Sequence, residues 1–222
     1  PIASGKISRK VAIVLVTIFT VIALSLSLLV SVPTFGISMV LISLIFGYDK
    51  YLKNTQAGPF TIAAARVMNV TLGTSASLNN IDSFPQFVIL VFVLTITFVY
   101  VTLIGFISKY EVQGFSENIK LYLIPVVIAA IISSIILFTF TGFFKYESLI
   151  ILVPFTFIMA KAVYRIQKKD PIGIQQCVQK MIVSIILLDS TYLSGIRGLE
   201  VGLAVLLLVA PLLILSRKMY MT

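Results

Sequence analysis

Apolar residues along this chain come in runs of about twenty broken by short polar stretches, and a helix rising about 1.5 Å per residue needs about 20 residues to cross ~30 Å of hydrocarbon. Runs at 11–30, 60–77, 86–107, 121–140, 146–164, 172–192 and 199–216 have this character. An eighth, 37–47, is shorter, and predicts either a tilted helix capped by its polar ends or one that stops short of crossing. Ser31 to Gly36, with Pro33 and Gly36, reads as a tight uncharged turn. Pro59 suits the first turn of the run behind it, and Asp170-Pro171 reads as an N-cap followed by proline at the first helical position. The ten-residue alternation of a membrane barrel is absent. The expected fold is all-α, a polytopic transmembrane helical bundle of about eight spans in one domain, 1–222.

Composition agrees with this pattern. At 59% hydrophobic and 11% charged, the chain lacks the polar residues to cover a water-facing surface, so an integral membrane protein in contact with the lipid bilayer is expected. One cysteine, Cys177, excludes an internal disulfide framework, and the absence of histidine removes the commonest metal ligand and general base. In a soluble protein, 17 basic against 8 acidic residues would suggest a nucleic-acid partner. Between membrane spans the same excess reports topology, and no nucleic acid is expected. Alternating the eight spans puts fourteen of the 17 Lys and Arg on one face and only Lys145 and Arg197 on the other, with Arg66 inside a span. The rich face is cytoplasmic by the positive-inside rule, and the cell membrane is the expected location.

Arg66 is the anomaly. It follows Pro59 by about 10 Å of helix, flanked by Ala63-Ala64-Ala65 and Val67-Met68. Spacings of three and four put Arg66, Asn69 and Gly73 on one helical face, which must look at protein or water. A charge at membrane depth costs about 2.5–3.5 kcal/mol on insertion scales, so such a residue reads as part of a buried polar site. The structural alternative is an ion pair, with Asp49 the nearest candidate, that fixes helix packing. Loops 48–53, 108–120 and 165–170 carry both signs of charge and share the cytoplasmic face. Basic side chains around a few carboxylates suit a phosphorylated ligand held through Mg²⁺, although Lys168-Lys169 equally suits ordinary topogenic charge.

The ordered motifs resemble the UbiA superfamily of intramembrane prenyltransferases. PIASGKISRKVA resembles the R-P-[IL]-x-[SA]-G-x-[IV]-[ST] opening of that family's third helix. Tyr48, Lys53 and Thr55 resemble its Y-x₄-[KR]-x-T stretch, and Arg66, Asn69 and Gly73 its R-x-x-N-x-x-x-G. YVTLIGFISKYEVQG is similar to the loop after helix six, and PFTFIMAKAVYRIQKKDP with QKMIVSIILLD to the end of helix eight and to helix nine. The resemblance implies a transferase that moves an isoprenyl group from its diphosphate to a lipophilic, aromatic or polyol acceptor, with Mg²⁺. It implies diphosphate contacts for Lys53, Arg66, Asn69, Lys109 and Lys120, and metal contacts for Glu111 and Glu117, with no catalytic acid or base assigned. Two departures accompany it. The family's first aspartate-rich motif and first two helices would precede Pro1, so the expectation is of a fragment or processed chain that is inactive by itself. The second aspartate-rich motif is reduced to Ser108, Glu111 and Val112, with Glu117 further on. The competing readings are a transporter using Arg66 to bind an anion, and a non-catalytic polyprenyl-lipid-binding relative.

Overall fold

The computed structural model describes residues 8–76, 83–112, 114–115, 121–167 and 169–208, and these are all-α. The helices are α1 (Arg9–Val30), α2 (Val32–Gly47), α3 (Gly58–Thr74), α4 (Phe84–Ser108), α5 (Leu123–Phe140), α6 (Glu147–Ile166), α7 (Pro171–Arg197) and α8 (Leu199–Leu206). Among the described residues six helices are long and apolar enough to cross a membrane. They are α1, α4, α5, α6, α7, and α2 together with the π-helical turn Tyr48–Leu52 that continues it. Helix α3, at 17 residues, is slightly shorter.

The second run differs from its sequence reading. No turn spans 31–36: Ser31 alone separates α1 from α2, its extended backbone donating N–H to Ser27 O at 3.2 Å while its hydroxyl accepts from Thr34 N at 3.2 Å. Pro33 sits in the first turn of α2, where its missing N–H has no helical partner to lose. At the other end Tyr48–Leu52 stays helical by widening to π geometry, so the apolar run of 37–47 belongs to a 21-residue helix, Val32–Leu52. The hydroxyl cap and the π extension together supply the length that composition alone withheld.

The chain forms two compact units that divide within α4, between Phe98 and Val99. In the first, α2 packs between α1 and α3. Ser27 is the one buried residue of α1, while Phe19 is 66% and Leu29 83% exposed; so much apolar surface fits hydrocarbon and not water. In the second unit α6 and α7 form the core, with α5 against α6 and α8 against α7. Tyr100 of α4 is buried there, donating to Met181 O at 3.0 Å, with its ring tilted against that of Phe155 at 5.8 Å. Pro154 lies inside α6 without ending it, and Asp170 caps α7 as read, accepting from Gly173 N at 3.1 Å.

Candidate functional site

In the first unit the sequence between the two apolar runs is folded tightly onto the end of α2. Thr55 donates both N–H and hydroxyl to Leu52 O, at 2.9 and 2.8 Å, while its oxygen accepts from Ala57 N at 3.2 Å. Gly58 N then donates to Thr55 O at 3.2 Å. This closure brings Gly58 so near the preceding backbone that a Cβ would stand 2.8 Å from Leu52 O and 3.0 Å from Lys53 O. Glycine is required by space here and not by dihedral angle. The result is an exposed Lys53 presented on a backbone with little freedom.

Helix α3 starts at that closure and carries Arg66, Asn69 and Gly73 along one face. Asn69 and Gly73 are exposed; Arg66 is half-buried, with its Nε shielded from solvent. On its flanks Ala63 and Ala65 are 0% and 5% exposed, small side chains that let α3 lie close to its neighbour. At its far end the Ser75 hydroxyl meets Thr34 Oγ1 of α2 at 2.8 Å, and Ser31 Oγ meets the same oxygen at 2.7 Å. Helix α3 is thus tied to α2 at both ends, which fixes its rotation and the direction Arg66 faces. The Ser31–Thr34–Ser75 cluster was not anticipated; in sequence these are three ordinary hydroxyls, one of them 41 positions from its partner.

In the second unit the loop after α4 is pinned to the start of α7. Gly114, at φ 75°, takes a turn that L side chains rarely adopt, and Phe115 N donates to Lys169 O at 3.2 Å. Gln175 Nε2 of α7 donates to Glu111 O at 3.3 Å, and the Tyr110 and Phe115 rings lie 5.0 Å apart. Described parts of two of the three mixed-charge loops, 108–120 and 165–170, therefore meet within this unit. Lys109 is exposed, its Nζ 5.8 Å from the Phe106 ring centroid. Glu111 is half-buried, and burial pushes its carboxyl above the ordinary carboxylate range. Glu117 and Lys120 lie outside the described residues.

Among the described residues no three acidic, cysteine or histidine side chains gather into a metal cage. The donor set suits a different mode, in which a hard cation keeps several waters and bridges phosphate oxygens to one or two carboxylates. Glu111 is a carboxylate that could serve in that mode. Between α5 and α6 the second unit also has an apolar groove of about 320 Å³, lined by Pro125, Ile128, Ile132, Met159 and Val163 among others.

A family model described as the UbiA prenyltransferase family matches residues 1–186 of the chain. Comparison with curated proteins and with solved structures finds no match.

Proposed function

The chain belongs to the UbiA prenyltransferase family, and on that premise we propose that it transfers an isoprenyl group from an isoprenyl diphosphate to a lipophilic, aromatic or polyol acceptor. The family match over residues 1–186 carries this reading. Arg66, Asn69 and Gly73 on one face of α3 support it.

The reaction breaks the allylic C–O bond of the donor; diphosphate leaves with the bonding pair, the acceptor's nucleophilic atom bonds to the same carbon, and the acceptor's proton passes to a carboxylate or to the departing diphosphate. Charge on the leaving group is the main thing to stabilise. The family-like motifs offer Lys53, Arg66, whose guanidinium can grip two oxygens, Asn69, Lys109 and Lys120 for this role. Mg²⁺ would be held by Glu111 and Glu117 together with substrate oxygens, and when bound supplies further neutralisation of the diphosphate. The carbocationic carbon must be kept from water, and apolar helices with Phe and Ile walls exclude it. With Lys53, Lys109 and the other loop cations on the positive-inside face, the active face is cytoplasmic, in the cell membrane.

The test is release of inorganic pyrophosphate from isoprenyl diphosphates of graded chain length by the protein in membranes supplied with a lipid and quinone-precursor extract and Mg²⁺. Release above the level of an Arg66→Leu control is expected. No release, and no binding of any donor, would overturn the assignment.

A further inference from the structure

The groove between α5 and α6 is used by none of these roles. It is lined within the second unit alone, and its positions on α6, from Thr156 through Ala160 and Tyr164 to Gln167, follow the three- and four-residue spacing of one helical face. The hollow opens where Ala129 of α5 and Ala160 of α6, both small and exposed, line it from either side. Its two ends differ. At the deep end Thr156 donates its hydroxyl to Leu152 O at 2.9 Å, so that donor is spent inside its own helix. At the other end, by the last turn of α6, stand the Tyr164 phenol and the Gln167 amide, and none of the lining residues is acidic. Exposed Lys161 precedes Tyr164 by three residues and half-buried Arg165 follows Lys161 by four, which places two cations beside that mouth. The Lys161 ammonium lies 4.1 Å from the centroid of the Phe157 ring.

Exposed aromatic rings mark how deep the groove runs. Tyr122 and Tyr164, 60% and 67% exposed, stand at the mouth end of the two helices, and Phe140 and Tyr146 stand at the other end with ring centroids 6.1 Å apart. Tyrosines at both ends of a span are characteristic of the two membrane interfaces. Tyr122 and Phe140 are about 27 Å apart along α5, close to the ~30 Å of a hydrocarbon layer. From Thr156 to Gln167 the groove covers about 16 Å, which is the depth of one leaflet. A passage one leaflet deep, apolar within and cationic at its mouth, has the length and polarity of a phospholipid. We propose that it holds one acyl chain of an anionic phospholipid, with Lys161 and Arg165 pairing the phosphate and Tyr164 and Gln167 donating to headgroup oxygens. A lysine within the last two turns of a span reaches the interface along its apolar stem, where an anionic headgroup balances its charge. The site stands apart from the transferase reading, since none of these residues is assigned to the donor diphosphate.

Native mass spectrometry of the full chain in mild detergent, titrated with phosphatidylglycerol or phosphatidylcholine, tests this. The parent should hold one phosphatidylglycerol about tenfold more tightly than phosphatidylcholine. Ala160→Phe fills the groove from α6 and should abolish retention of both lipids. Ala129→Leu fills it from α5 and should do the same, so the test survives if either variant fails to fold. Lys161→Gln with Arg165→Gln should bring phosphatidylglycerol down to the affinity of phosphatidylcholine and leave phosphatidylcholine unchanged. Equal affinity of the parent for the two lipids would overturn the inference, as would retention of phosphatidylglycerol by both filled variants. Displacement of the bound lipid by geranylgeranyl diphosphate would assign the groove to an isoprenyl chain, and a dimer mass lost in Ala160→Phe would assign it to a second copy; the inference fails in either case. The transferase reading is judged separately, by pyrophosphate release, and neither result decides the other.

Discussion

Replacing Gly58 with alanine tests the closure that presents Lys53. The added methyl would stand 2.8 Å from Leu52 O and 3.0 Å from Lys53 O, both main-chain atoms that cannot swing aside like the end of a side chain. Relief requires the 53–57 turn to move outward by a few tenths of an ångström, which strains the bonds Thr55 N to Leu52 O and Gly58 N to Thr55 O. Overpacking of this kind costs about 1–3 kcal/mol. Nothing in the helix offsets it, since alanine's propensity advantage over glycine is only about 1 kcal/mol in a helix interior and less at a first turn. One to three kcal/mol corresponds to roughly 5- to 150-fold in a local opening equilibrium. Hydrogen exchange followed by mass spectrometry should therefore show faster exchange in the 53–58 segment of Gly58→Ala, with α4 to α7 unaffected. Gly36→Ala is the control: a Cβ there meets nothing within 4 Å, so exchange should be unchanged or slower. Equal protection of 53–58 in Gly58→Ala and parent would refute the described closure.

Three other outcomes are expected. Arg66→Lys keeps the charge but loses the planar fork and should weaken isoprenyl-diphosphate binding, with Arg66→Leu weakening it by about 1.5–3 kcal/mol at little cost in thermal stability; a large stability loss with unchanged affinity would instead mark a structural ion pair, whose disruption costs about 3–5 kcal/mol. Because burial raises the Glu111 carboxyl, the folded chain holds that proton more tightly than the unfolded one, so its contribution to stability is present at low pH and declines as pH rises from the ordinary carboxylate value through the raised one; Glu111→Gln should flatten that slope in melting curves taken between about pH 4 and 7. In a Cys177→Ser background, a cysteine at Asn54 should react with an impermeant thiol reagent only from the cytoplasmic side and one at Tyr146 only from the other; the reverse pattern would invert the topology.

Run length and charge were enough to read the helical class, the position of most spans, the Asp170 cap and the common face of Arg66, Asn69 and Gly73, because each depends on residues close together in sequence. The reading of 31–36 as a loop went astray on Pro33 and Gly36, which signal turns in water but fit a helix start and a helix interior once Ser31 has capped both neighbours. The contacts that orient the site were not legible. Thr34 and Ser75, Glu111 and Gln175, and Phe115 and Lys169 are pairs distant in sequence, joined by single hydrogen bonds that leave no periodic trace.

Ser31 and Gly198 are each the whole joint between two helices, α1 with α2 and α7 with α8. The joint at Ser31 carries almost no hydrophilic material, so during synthesis α1 and α2 can enter the bilayer as a folded hairpin without dragging a polar loop through hydrocarbon. The same economy leaves these corners without slack. Gly198 holds φ 111°, and Ser31 uses both its amide and its hydroxyl, so a residue inserted at either corner would uncap a helix on each side. Epitope tags and reporter fusions meant to map the chain belong in the longer loops, and the two corners are where a deletion or insertion library should come back empty.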